Sequence, residues 1–158
     1  MKVLILGIGN ILLTDEGIGV QAAQSLLRDY TLPHNVEVID GGTVGIELLP
    51  LIAEADHLIL LDAVNTGNPP GTIIRLDDDQ VPALFRTKLS PHQVGLSDVL
   101  AAVHLTGEPP DHLTLFGVEP ASLALGMELS ALVAPQLGRL MVLLIEELDR
   151  LGCPLIAK

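Results

Sequence analysis

With 49% hydrophobic and 18% charged side chains in 158 residues, the chain carries enough apolar surface to offset the entropy of ordering itself, which excludes a disordered polymer and predicts one domain over 1–158. A formal net charge of -12 excludes surfaces built for phosphate backbones or anionic membranes, so neither nucleic acid nor membrane is an expected partner. Cys153 is the only cysteine, which rules out an intramolecular disulfide and a cysteine-rich zinc site and fits a reducing, cytoplasmic setting.

In chain order, Lys2 to Gly7 is a short apolar run ending in glycine, too short for a signal peptide, and Ile18, Ala22, Ser25 and Leu26 then recur at helical spacing. Thr14 or Asp15 is the predicted cap of that helix. Val36 to Asp40 reads as a second strand, and Asp40-Gly41-Gly42-Thr43 as a turn into a helix through Ile46, Leu49 and Ile52, with Pro50 awkward in its middle. His57 to Asp62 is a nearly continuous apolar strand of the kind buried on both faces in parallel sheets. After the Pro-, Gly- and Asn-rich stretch 65–71, Thr72 to Leu76 follows without room for a crossover helix, which predicts an antiparallel edge strand.

Asp77 to Leu89 reads as loop. Ser90-Pro91-His92-Gln93 has the pattern of a helix start: an N-cap serine, proline at the first helical position and a glutamine completing a capping box. That helix runs through Leu96, Leu100 and Val103 to Gly107, and His112 to Val118 is the last predicted strand. A terminal helix from about Ser130 to Leu151 carries Val133, Leu137, Leu140, Leu144, Leu148 and Leu151 on one face, with Gly152 and Pro154 as its stop. Strands alternating with helices predict a three-layer α/β/α domain around a mostly parallel twisted sheet of about five strands.

Ligands of such a sheet collect at the carboxyl ends of its strands. Three candidate donors are expected there. Glu16 follows Thr14-Asp15 and would sit in the positive field of a first helical turn, Asp62 ends a buried strand, and His92 takes the second position of its helix, where the same field favours a neutral imidazole. Two carboxylates and an imidazole suit a divalent transition metal with open positions. The bland reading of each residue stands beside this: an acidic helix start, a solvated strand end, a first-turn histidine.

Gly7-Ile8-Gly9-Asn10-Ile11-Leu12 partly matches a dinucleotide fingerprint, but Leu12 occupies the third glycine's place. Tight turning and close packing explain Gly7 and Gly9 equally well. Asp40-Gly41-Gly42-Thr43 is similar to an aspartic-protease loop, for which Asp62 would have to supply the second carboxylate of a proton-sharing pair. A turn-forming Asp-Gly is the alternative.

The segment Gly7 to Val20, with Gly7-Ile8-Gly9-Asn10-Ile11-Leu12-Leu13-Thr14-Asp15-Glu16-Gly17, resembles the N-terminal signature of the hydrogenase maturation proteases. Asp40-Gly41-Gly42-Thr43, Leu60-Leu61-Asp62-Ala63, Ser90-Pro91-His92-Gln93-Val94-Gly95-Leu96 with Asp98, and Gly117-Val118-Glu119-Pro120 resemble that family's later blocks, in its order and over nearly the whole chain. The pattern looks most like members of the hydrogenase-2 type.

What the resemblance implies is an endopeptidase that removes the C-terminal extension of a nickel–iron hydrogenase large-subunit precursor after nickel insertion. The family's nickel-contacting positions fall on Glu16, Asp62 and His92, and the Asp40 turn matches a segment associated with recognition or cleavage, with Asp40 as candidate general base. The metal would come with the substrate, so the isolated protein is expected to hold none tightly. A nickel-dependent assembly chaperone that does not cut is the alternative.

Overall fold

The computed structural model describes residues 1–42, 46–87, 91–106 and 109–158, and side chains outside 43–46, 86–95 and 106–108. The chain runs β1 (Val3–Ile8), a 3-10 turn (Thr14–Gly17), α1 (Ile18–Asp29), β2 (Tyr30–Thr31), β3 (Val36–Gly42), a 3-10 turn (Ile46–Leu48), α2 (Leu49–Glu54), β4 (His57–Ala63) and β5 (Ile73–Asp77). It continues with α3 (Gln80–Thr87), α4 (Pro91–Thr106), β6 (His112–Val118), α5 (Gln136–Arg150) and β7 (Ile156–Ala157).

Five strands form one sheet in the order β3-β1-β4-β6-β5, parallel except for β5, which pairs antiparallel with β6 at the margin. The expected three-layer architecture follows from the alternation of side chains along these strands. Val3, Ile5, Ile59, Leu61 and Phe116 pack one face against α1 and α5, through Ile18, Leu26, Leu140 and Leu144. Leu4, Leu6, Leu58, Leu60 and Leu115 pack the other against Ile52 of α2, Phe85 of α3 and Leu96 and Val103 of α4. Central β4 is buried along its whole length, the structural form of its unbroken apolar run.

The direction of travel matters for function. From β1 the chain goes first to β3 on one side, then crosses to β4 on the other, so the crevice between the carboxyl ends of β1 and β4 is the topological switch point of the sheet.

Several expectations need correction. Residues 77–89 are not all loop: α3 forms because Val81 and Phe85, one helical turn apart, are both buried, and Pro82 falls in the first turn, where a missing N–H costs nothing. The terminal helix starts at Gln136 rather than near Ser130, because Ser130 is held by Asp15 and residues 131–135 form turns ending at Pro135. β3 continues through Asp40 to Gly42, with a register shift against β1 between Gly7 and Ile8, where a turn was expected to begin. The sequence reading also missed the two-residue ribbon of β2 and β7. Thr43, Ser90, Gly107 and the side chain of Gln93 lie outside the described residues.

Candidate active site at the sheet switch point

Asp62 is the penultimate residue of β4 and 1% exposed. It alternates with Leu58 and Leu60, so it belongs to the face covered by α2, α3 and α4. Its Oδ1 accepts a hydrogen bond from the Ala63 amide at 2.8 Å. The loop leaving β1 passes directly beside it at Gly9, whose φ of 132° favours glycine. A Cβ at Gly9 would stand 3.6 Å from Asp62 Oδ1 and collide with the Glu16 carbonyl. The Asp62 carboxylate and the backbone of Glu16 thus stand on either side of one glycine.

Glu16 is 8% exposed and lies in the 3-10 turn Thr14–Gly17. Glu16 does stand in a first turn, that of the 3-10 helix that runs directly into α1, while α1 itself begins after an N-cap Gly17 with no side chain capping it. Neither Thr14 nor Asp15 serves as cap, because both reach across the molecule. The Thr14 hydroxyl donates to the Ala124 carbonyl. Asp15, fully buried, accepts from the Ala121 and Ser122 amides at 2.9 Å each, the Ser130 amide at 2.8 Å and the Ser130 hydroxyl at 2.7 Å. Burial pushes the Asp15 carboxyl up, but these donors outweigh it and hold the group below the usual carboxylate range.

His92 is the second residue of α4, and its side chain lies outside the described set. The helix direction still bears on it. Leu100, Val103 and His104 share a cavity with Leu113 at the start of β6, so α4 runs opposite to the parallel strands and its first turn lies at their carboxyl edge, over the face that carries Asp62.

Asp40 does not join that group. It is level with Gly7 and, across β1, with Leu61, which puts it on the α1 face, about 10 Å of strand spacing away. It is exposed and accepts a hydrogen bond from Gln24 Nε2 of α1 at 3.1 Å. The proton-sharing pair considered for Asp40 and Asp62 is therefore excluded, since the two carboxylates point to opposite faces of the sheet.

A nucleotide loop is equally disfavoured. The amides of Gly9, Leu12, Leu13, Thr14, Asp15 and Glu16 are all spent on protein acceptors: Gly42 O, Asn10 Oδ1, Asn10 O, Gly126 O, Ser122 O and Leu13 O. None of these six is left to cradle a phosphate.

The sequence reading gave Glu119 no role. It is 3% exposed, and its Oε1 accepts from the Thr66 amide at 2.7 Å and from the Thr66 hydroxyl, fixing the loop that follows Asp62. Its only signal was its place in the Gly117-Val118-Glu119-Pro120 block. The crevice holds the buried Asp62 carboxylate beside the turn that carries Glu16, and among the described residues no group of three or more His, Cys, Asp or Glu side chains is gathered where it could hold a metal ion.

Residues 20–147 match the family model HycI, described as hydrogenase maturation protease. The chain is 51% identical over 151 residues to the hydrogenase 2 maturation protease of Escherichia coli (strain K12), a match covering 92% of each. The fold is similar to that of the hydrogenase maturating endopeptidase HybD from E. coli, with a TM-score of 0.95 at 48% identity over 100% of this chain and 98% of the other. A hydrogenase 2 maturation peptidase from a Thaumarchaeota archaeon is similar at a TM-score of 0.71 and 32% identity, over 94% and 98% of the two chains.

Proposed function

This chain belongs to the hydrogenase maturation protease family and is a peptide-bond hydrolase, and from that premise we propose that it cuts the C-terminal extension from a nickel–iron hydrogenase large-subunit precursor once nickel is in place. Glu16, Asp62 and His92 read the substrate's metal. The observation that carries this reading is the meeting of Asp62 and the Glu16 turn around Gly9 at the β1/β4 switch point.

The donor set explains why the metal would arrive with the substrate. Carboxylates and an imidazole form an open half-site without soft sulfur, which the precursor's own cysteines complete. Metal loading then becomes a condition for productive docking, and recognition and timing are one event. Asp40 is our candidate for the carboxylate that takes a proton from the attacking water. Standing beyond β1 on the other face, it would meet a scissile bond about 10 Å from the metal rather than one bound to it. A cytoplasmic setting goes with this reading, supported by a buried cysteine without a disulfide partner and by the absence, among the described residues, of a helix long and apolar enough to cross a membrane.

The test offers nickel-loaded and nickel-free precursor to the protein and follows the mass of the precursor. Only the loaded form should shorten, and nickel added to the protease alone should not replace it. Glu16→Ala, Asp62→Ala and His92→Ala should each cost more than the ~100-fold that follows loss of an outer partner of a metal ligand. Equal processing of both precursors would overturn the reading and leave an ordinary hydrolase.

A further inference from the structure

The segment Glu119 to Ser130 joins β6 to the turns before α5, and its surface is unusual for a loop. Leu123, Leu125 and Met127 are 54%, 85% and 64% exposed, and Leu12 beside them is 49% exposed. Grouped apolar side chains in water mark a contact surface more often than scattered ones do.

The segment is also built into the site. Asp15 holds its two ends, at Ala121–Ser122 and at Ser130. Between them Gly126 is stitched to the loop that leads to Glu16, its amide donating to the Leu12 carbonyl and its carbonyl accepting from the Thr14 amide, both at 2.8 Å. The bridge between Leu13 and Gly126 is parallel, so Leu12 and Leu125 stand abreast and Met127 continues the row toward the turn that carries Glu16. Ile8 to Glu16 and Glu119 to Ser130 together contain no Lys, Arg or His, and of their carboxylates Glu128 is exposed while Asp15, Glu16 and Glu119 are buried.

We propose that this rim docks the precursor polypeptide: an apolar stretch of substrate chain, bordered by cationic side chains, lies across Leu12, Leu123, Leu125 and Met127 and is held against the edge that carries Glu16 and Asp62. The inference rests on the function proposed above. A peptide-bond hydrolase has to seat a polypeptide across this edge, and the rim adjoins it on the same loop. Two segments without a cation, carrying the exposed Glu128 on a chain of net charge -12, favour a partner that brings positive charge. A second copy of this acidic chain is the poorer occupant, because a patch of this kind is on the order of 300–600 Å² and a stable dimer needs roughly 800 Å² per partner. Asp15 acts here as a positioning residue, holding the rim in place without touching the substrate.

The experiment measures the Kd of the protein for nickel-loaded precursor, together with kcat and KM of cleavage, for native protein, for Leu125→Glu/Met127→Glu and for Leu105→Glu. Leu105, 89% exposed toward the far end of α4, is the control. The double variant should bind at least about tenfold more weakly and raise KM to match, with kcat within about twofold, while Leu105→Glu leaves all three unchanged. If circular dichroism shows the double variant to be unfolded, Leu125→Ser decides with the same readouts.

Native-like Kd and KM in a folded variant would overturn the proposal. So would sedimentation showing a native dimer that the double variant dissociates, which assigns the rim to a second copy. Because binding is measured apart from cutting, a native protein that binds precursor without cleaving it defeats the proposed function while the variants still judge the rim; no binding of either precursor form defeats both.

Discussion

Asp15 is fully buried, yet it is charged in the folded protein because four donors converge on it. Its carboxyl lies below the ordinary value when folded and at about 3.9 in the unfolded chain. Its contribution is therefore complete above that pH and drains away as pH falls through the lowered native value. Asp15→Asn, which removes the charge and turns an amide donor toward other donors, should cost about 3 kcal/mol at neutral pH. Urea titrations at pH 7 and near pH 2 check this: the gap between native and variant should shrink at the acid end, and an equal gap at both would deny the carboxylate its role. In sequence, Thr14-Asp15 ahead of an apolar helix reads as a cap, because the window sees only neighbours. The true partners begin 106 residues away. Asp62 was legible, since a carboxylate ending a buried strand has few options. The side taken by Asp40 was not, because it depends on the register of β3 against β1.

Among the helices, α1 positions the site by coming unusually close to the sheet. A Cβ on Gly19 would run into the Leu61 carbonyl and stand 2.7 Å from the Ile8 carbonyl, and one on Gly7 would stand 2.7 Å from the Cβ of Ala23. These contacts are with backbone or a fixed methyl, so nothing flexible can yield. Gly19→Ala should therefore destabilise by about 3 kcal/mol, the upper part of the overpacking range, and displace the Glu16 turn from the end of β4. Gly138, exposed in α5 with nothing within 4 Å of its would-be Cβ, is the counterpart. Gly138→Ala should stabilise by up to about 1 kcal/mol through helix propensity alone. Thermal melts of the two variants should move in opposite directions, and a neutral Gly19→Ala would refute the close-approach account. Apolar runs and helical spacing gave away β1, β4, β6, α1 and α4, because burial on one or two faces writes itself into period and length. α3 escaped because three aspartates and a proline around Val81 and Phe85 look like loop chemistry, although the one-turn spacing of those two residues was there to be read.

At the scale of the molecule, an apolar layer on each face of the sheet holds the buried Asp62 and the Glu16 turn at one end, and most of the chain's acidic residues lie elsewhere. α5 is clamped to β5 by Arg75, which reaches the buried Glu147 at 2.7 Å and Asp77 at 3.0 Å and lies over the Phe116 ring at 5.4 Å. The two margins of the sheet are β3 and β5, and each bears an exposed charge, Glu37 near the start of one and Arg75 at the middle of the other. Charges there discourage another strand from adding to an open edge. Glu37→Val should accordingly bring concentration-dependent association, seen by light scattering, where the native protein stays dispersed. An enzyme that handles polypeptide substrates would, with sticky margins, be captured by any extended segment that could add to its sheet. The charged flanks turn such encounters away and leave one end of the sheet as the place where a polypeptide can stay.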